Sequence, residues 1–256
     1  MVFYWTIFSL AFTLCIDEFK GDSGRIKYQT TLADAKNKEV LDILPTRYLE
    51  DLNKYFKEIS PEERERVKVF VSDMCGTFKE VKNLYFKNSI HVIDKYHFVR
   101  QVHWALENVR KQEQKLMTSD RRKYFKRSRS LLKKPSKKLK EEEMTDVSLM
   151  LEMNQEIKKA YQLKELFYEY VLKQRNKKDA CRALKEWIRR AKDSNQIQWK
   201  ECIRSFENWF EEITNSFDYE WTNAYVEGTH NKIKTLKRVC FGMKNFNHFR
   251  TRILLI

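Results

Sequence analysis

Alternating and unbroken apolar stretches occupy the first hundred residues of the chain, and three- and four-residue periodicity occupies most of the remainder. Residues 5–16 form a nearly continuous apolar run, which predicts a buried strand with further apolar residues ahead of it. RIKYQTTLAD (25–34) predicts a second, more polar strand, and EVLDILP (39–45) a third, closed by Pro45. Helical spacing runs from Tyr48 to Ile59, and SPEER (60–64) supplies a cap, a proline and early acidic residues. VKVFVSD is a short β-branched strand ending at Asp73, Thr77 to Phe86 a short helix, and SIHVID (89–94) a fifth strand. Order and length together predict an α/β domain with a mixed sheet of five strands, the first three antiparallel.

From Lys95 the alternation stops. KYHFVRQVHWALENVRKQEQK, TDVSLMLEMNQEIKKAYQLKELFYEYVLK and DACRALKEWIRRAKD all carry apolar residues at helical steps. Only 5 Gly and 3 Pro in the whole chain favour long helices over many turns. A helical block is therefore expected over about 95–222, ahead of one last helix. This divides the chain into a first part of the core at 1–97, a helical insertion at 98–222, and a closing helix with a basic tail at 223–256.

A length of 256 residues and a hydrophobic content of 42% support one large domain or a domain with a big insertion. Lys and Arg number 51 against 36 Asp and Glu, a formal net charge of +15 that favours a polyanionic partner, of which nucleic acid is the commonest. Solubility or attraction to an acidic membrane gives the same sign, and charge alone does not separate them. The five cysteines (Cys15, Cys75, Cys181, Cys202 and Cys240) are scattered without a CxxC or CxxH pair. They suggest neither a zinc ribbon nor a disulfide framework, and fit a reducing compartment. The apolar start, MVFYWTIFSLAFTLCI, lacks a positive leading region and a small-residue cleavage site. Its length also falls short of a membrane span, so a buried strand is preferred to a signal peptide or a membrane segment.

Three acidic residues stand where chemistry is expected. Asp17 and Asp73 each close an apolar run, and Glu227 opens a basic helix. Carboxylates at the ends of neighbouring strands converge even when they lie far apart in sequence. Phosphodiester cleavage needs an activated water or hydroxyl and a stabilised leaving oxygen, which two divalent ions about 3.5–4 Å apart supply. Magnesium takes oxygen ligands and keeps several waters, so a few carboxylates are enough. Taken singly, an Asp after an apolar run is more often a turn residue or helix cap. Glu227 has the better-defined setting. At about 100° per residue, Val226, Thr229, Ile233, Leu236 and Cys240 share one arc, and Glu227, Asn231, Lys234 and Arg238 share another roughly opposite. A carboxylate in line with an amide and two cations suits a metal ligand whose helix continues along a DNA backbone. An exposed helix with a basic face explains the same pattern without chemistry.

Two further groups stand out. In DKYH, Asp94 follows a strand and His97 falls on the next helical turn, either as a simple cap or as a pair beside Asp17 and Asp73. His91, His103 and His248 show no ligand spacing and are read as structural. Residues 121–140 hold eleven Lys or Arg and no acid, including Arg121, Arg122, Lys123, Lys126 and Arg127. They form either a solvated charged loop or a DNA-backbone patch.

Three segments together resemble the bacterial insertion-sequence transposases with a DDE, RNase H-like catalytic domain. They are IDEFKGDSGRIKYQTTLADAKNKEVLDILPTR, VSDMCGTFKEVKNLYF with HVIDKYHFVRQV, and YVEGTHNKIKTLKRVCFGMKNFNHFRTRI. The likeness runs from about Ile16 to Ile256, and is narrowest to the group whose full-length members carry an N-terminal zinc-binding segment and a helix-turn-helix. It implies an RNase H-like sheet with a large all-helical insertion before the last catalytic helix. It also implies Asp17, Asp73 and Glu227 as a catalytic, metal-binding triad, with Asp94 and His97 as an auxiliary Asp-x-x-His signature. Two Mg²⁺ ions per site, with Mn²⁺ as a substitute, are implied as cofactors. DNA is the implied partner, contacted by Asn231, Lys234, Arg238 and the 121–127 cluster. A homodimer or higher assembly on DNA, a bacterial cytoplasmic, nucleoid-associated location, no small-molecule substrate and no membrane role are also implied. The chain departs from the group by starting almost at the first catalytic strand, so the zinc-binding and helix-turn-helix segments are expected to be missing. An inactive transposase remnant that only grips DNA, and a basic protein that binds RNA or an acidic membrane, are the alternatives.

Overall fold

The computed structural model describes residues 10–21, 26–127, 129–219, 221 and 224–255, with the backbone alone at Arg127 and Ala224. Five strands, β1 (Thr13–Lys20), β2 (Tyr28–Asp34), β3 (Glu39–Leu44), β4 (Val69–Ser72) and β5 (Ile90–Ile93), form one sheet in the order β3-β2-β1-β4-β5. β1, β2 and β3 are antiparallel neighbours, whereas β4 and β5 run parallel to β1. Between β3 and β4 lie α1 (Leu49–Lys57) and α2 (Pro61–Glu65), and α3 (Gly76–Tyr85) joins β4 to β5. Then come α4 (Lys95–Lys115), α5 (Ser119–Arg127), α6 (Arg129–Lys133), α7 (Glu141–Met153) and α8 (Gln155–Leu166). They are followed by α9 (Lys177–Asp193), α10 (Lys200–Asn208), α11 (Phe210–Asn215), α12 (Ala224–Val239) and α13 (Phe246–Leu254). This is the RNase H-like α/β arrangement that the sequence suggested, with a helical insertion before the closing helices.

Local sequence accounts for most of these elements. Ser60 accepts from the Glu63 N–H at 3.3 Å and Pro61 occupies the first helical position, so SPEER caps α2 as its composition requires. Asp34 accepts from the Lys36 and Asn37 N–H groups at 2.7 and 3.1 Å, which closes the turn between β2 and β3. The first strand differs from its sequence reading of 5–16. Residues 1–9 lie outside the described residues, 10–12 are not strand, and β1 continues through Asp17 to Lys20. The reason is pairing. β2 offers Thr31 opposite Asp17 and Gln29 opposite Phe19, and Phe19 is buried, so the ladder outlasts the apolar run.

The sheet is covered on both faces. Leu14, Ile16 and Phe70 point to one side, where they pack with Leu52, Phe56, Phe78 and Val81 of α1 and α3. Cys15, Val71 and Val92 alternate to the other side and meet Val226 of α12, while Phe19 and Ile43 meet Ile233, Phe249 and Ile253 of α12 and α13. Each such large side chain contributes about 1.5–3 kcal/mol by leaving water. One polar anchor lies among them. Asp42 on β3 is fully buried, accepting from Arg250 Nε of α13 at 2.5 Å and from the Tyr55 hydroxyl of α1 at 2.9 Å.

The chain divides into two compact units, residues 1–95 with 219–256, and residues 96–218. The second unit is helical and has its own aromatic core of Phe98, Phe167, Trp187, Trp199 and Phe206, joined mostly edge to face. Trp187 Nε1 donates to the Leu163 carbonyl at 2.8 Å, so the largest ring is also satisfied. Lys164 is fully buried there, donating to the Lys134 carbonyl at 2.7 Å and sitting 4.0 Å from the Tyr161 ring centre. Among the described residues, no helix is long and apolar enough to cross a membrane. All five cysteines are free thiols.

Removing the Asp42 carboxylate leaves Arg250 largely buried without its anion. Asp42→Ala is expected to cost about 3–5 kcal/mol and to lower the melting temperature by about 10 °C. An unchanged thermal unfolding curve would rule out Asp42 as the anchor of α13.

Candidate active site

Register places three acidic residues in one row. Cys15 pairs with Val71 across β1 and β4, and Ser72 with Ile93 across β4 and β5. Carried past the last paired positions, the same register sets Asp17 level with Asp73, and Asp73 level with Asp94. Alternation then puts all three on the face that carries Cys15, Val71 and Val92, one pleat further along. The Asp94 N–H donates to the Ser72 carbonyl at 3.3 Å, which holds the ends of β4 and β5 together beside Asp73. Ser72 itself is pinned through its hydroxyl, 2.8 Å from His91 Nε2.

α12 delivers the fourth acid to this face. Val226 is buried against Cys15, Val71 and Val92, so Glu227, the next residue, stands at the edge of that contact and is exposed. The arcs read from the sequence hold: Val226, Thr229 and Ile233 are buried, whereas Glu227, Asn231, Lys234 and Arg238 face solvent. Leu236 and Cys240, at the far end of the inner arc, are half-buried.

Asp17 feels both its burial and its acidic neighbours. Its carboxyl, 6% exposed, is pushed up to about 8, first by burial and next by the charge of Asp73. Glu18 and Glu227 add smaller repulsions, while the Glu18 N–H, donating to Asp17 Oδ1 at 2.8 Å, pulls the other way. Burial, followed by the charges of Asp94, Asp17 and Asp34, likewise pushes the Cys15 thiol up. Like charges from β1, β4, β5 and α12 thus converge on one end of the sheet. These oxygens are the hard donors a divalent cation such as Mg²⁺ takes, and the repulsion at Asp17 is what such a cation would relieve. Among the described residues, no three His, Cys, Asp or Glu are already gathered closely enough to grip a metal ion.

One residue of this neighbourhood escaped the sequence reading. His230, three positions after Glu227 on α12, is 8% exposed, with Nε2 3.0 Å from Thr31 Oγ1 and Nδ1 3.9 Å from Asp17 Oδ2. Burial, and then Lys234, pulls it down to about 4, so at neutral pH it meets Asp17 as a neutral ring and not as an ion-pair partner. Its spacing from Glu227 was the available signal, since residues three apart are neighbours on a helix.

The remaining candidates fall as follows. His97 belongs to the helical unit, where its buried ring meets Tyr96 edge to face at 5.6 Å. His91 and His103 are held neutral mainly by burial, His103 with Nε2 2.9 Å from the Tyr168 hydroxyl. The basic run that begins at Arg121 opens as α5 and not as a loop, because Phe125 is fully buried and Tyr124 donates to the Asp146 carbonyl at 3.2 Å. Arg121, Arg122, Lys123 and Lys126 are exposed, and the Arg127 side chain lies outside the described residues. Further along, Lys134 and Lys137 are spent on ion pairs with Glu143 and Glu169.

A model of a transposase family, the DDE type of the ISL3 group, matches residues 14–253. The chain is also similar to the transposase for insertion sequence element IS1001 of Bordetella parapertussis, at 24% identity over 243 residues. That match covers 94% of this chain and 59% of the relative, so the chain spans little more than half of its length. No solved structure matches the chain. The family match takes in every strand of the sheet, almost all of β1 included, and nearly all of α13. The chain belongs to the ISL3-type DDE transposases.

Proposed function

We propose that this chain is the catalytic part of a DNA transposase that cleaves at insertion-sequence ends and joins the freed 3′-hydroxyl to target DNA. The observation that carries this reading is a buried Asp17 carboxyl raised to about 8, first by burial, next by the charge of Asp73, and in smaller part by those of Glu18 and Glu227. A stable structural core has no use for such crowding; a divalent-metal site does. Asp17, Asp73 and Glu227 are the proposed ligands, with Mg²⁺ as the natural ion and Mn²⁺ as a substitute. When bound, a pair of these ions supplies an activated water or hydroxyl and neutralises charge on the leaving oxygen.

The protein's own part is placement and exclusion. Asp17, in the middle of β1, would be one ligand, ionised when the ion is bound. Asp73, just past the end of β4, and exposed Glu227 complete the cluster from the solvent side. Asp94 holds the strand ends beside Asp73, and His97 is proposed to assist from the start of α4. Asn231, Lys234 and Arg238 continue from Glu227 along one exposed helix face, suited to successive phosphates. Arg121, Arg122, Lys123, Lys126 and Arg127 are proposed as a second site for the DNA backbone. Residues 98–222 would then act as the insertion that grips DNA, with assembly on paired ends as a dimer or larger complex, at the bacterial nucleoid.

Nicking of supercoiled plasmid in Mg²⁺ or Mn²⁺, silenced by EDTA, should fall about 100-fold or more in Asp73→Asn and in Glu227→Gln. Variants that cleave like the wild type would end the triad reading. Changing Arg121, Arg122, Lys123 and Lys126 together to Ala should flatten the dependence of log affinity on log salt by about 0.9 for each phosphate no longer neutralised. An unaltered slope would remove this cluster from the DNA interface.

Asp17 also gives a signed stability prediction for the metal-free chain. Its folded value of about 8 lies above its ordinary 3.8, so wild-type stability is fullest below pH 4 and declines as pH rises towards 8. Asp17→Asn carries no charge at any pH. It should therefore raise the melting temperature at pH 8 by about 3 °C or more, a gain that fades as pH falls to 4. A gain independent of pH would contradict the raised titration of Asp17.

A further inference from the structure

We infer that His230 is a positioning residue that fixes the separation of Glu227 from Asp17 through its hydrogen bond to Thr31. This rests on the acidic site proposed above and adds a part that neither the family nor the triad specifies.

Geometry carries the argument. Glu227 reaches the sheet from a helix that arrives long after β1 in sequence, and its place depends on how α12 lies on the strands. Val226 and Ile233 seat that helix by apolar packing, which tolerates small slides and rotations along a smooth face. A buried hydrogen bond does not. His230 is one helical turn from Glu227, and its Nε2 lies 3.0 Å from Thr31 Oγ1, a fully buried hydroxyl. Thr31 is the residue directly opposite Asp17 on β2. The bond therefore ties the Glu227 helix to the sheet at the level of Asp17 itself.

The ring is held in that pose from two other sides. It packs against Phe19 with centroids 5.3 Å apart, and its Nδ1 faces Asp17 Oδ2 at 3.9 Å. Phe19 is two residues from Asp17 on the same side of β1, so ring, hydroxyl and carboxylate form one block. Displacing α12 by about an ångström along the strands would break the bond and move Glu227 relative to Asp17. Errors of that size are costly wherever two groups must share an ion.

The test is Mn²⁺ binding to the full metal-free chain, read from free Mn²⁺ by electron paramagnetic resonance and requiring no cleavage. Thr31→Val and His230→Ala should each weaken Mn²⁺ binding about tenfold or more. The double variant should be no weaker than the worse single, because both remove one bond. Thr31→Ser, which keeps the hydroxyl, and His230→Gln, whose amide nitrogen reaches the Nε2 position, should recover most of the affinity. Amide exchange across 224–239 should quicken in Thr31→Val and recover in Thr31→Ser. If Thr31→Val only lowers the melting temperature and leaves Mn²⁺ binding intact, the bond is merely structural and the inference is overturned. The same holds if the two single effects add in full. Asp17→Asn and Glu227→Gln report on the underlying site. If they bind Mn²⁺ as the wild type does, the acidic reading falls and takes this inference with it. If they lose Mn²⁺ while Thr31→Val does not, only the role of His230 is refuted.

Discussion

The seat of Val226 among Cys15, Ala33, Val69, Val71 and Val92 is the contact on which the rest of this molecule depends. Two of the three proposed triad acids lie in or just past strands that pair early in the chain, and their alignment follows the parallel register. The third comes from a helix separated from them by an entire helical unit. Without the apolar seat, Glu227 has no reason to stand near Asp17, and the basic face beyond it has no fixed direction. Packing of one valine into a strand groove thus converts a sequence pattern into a charge cluster.

That cluster works against the fold. A carboxyl buried as deeply as Asp17 and flanked by Asp73 and Glu227 is disfavoured in its ionised form, and the raised titration is the measure of it. The sheet tolerates this because α1 and α3 pack an apolar core on its opposite face, on Leu14, Ile16 and Phe70. Asp42 lends further support, clamping α1 and α13 through Tyr55 and Arg250. The cost of burying Asp17 falls at the end of the sheet, where a cation would relieve it.

Charge is distributed with similar economy. A net of +15 would be unremarkable if spread evenly, yet the stretch from Gly228 onward carries no acid at all. Part of the other basic run is neutralised internally by Glu143 and Glu169, while Arg121, Arg122, Lys123 and Lys126 of α5, with Arg129, Lys138 and Lys140 beyond it, face solvent. Phe125 anchors that helix, so its cations are displayed from an ordered surface.

Much of this was legible in the chain itself. SPEER specified a capped helix, β-branched VKVFVSD specified a strand, which ends at Ser72, one residue before Asp73, and helical periodicity around Glu227 separated Val226, Thr229 and Ile233 from Asn231, Lys234 and Arg238. Each of these is a local matter, decided by residues within a turn or a strand of one another. Where partners are distant, the sequence was silent or misleading. The apolar run stopped at Ile16, but β1 continued to Lys20 because β2 pairs with it. The basic run read as readily as a loop, but Phe125 found a buried site and made it a helix. His230 carried no signal of its own, since its meaning lies in Thr31 and Asp17, which only α12 packing on the sheet brings within reach. Composition and periodicity determined the elements, their faces and the acids to watch. Tertiary structure alone decided which of them meet, because pairing and packing link residues that no local pattern connects.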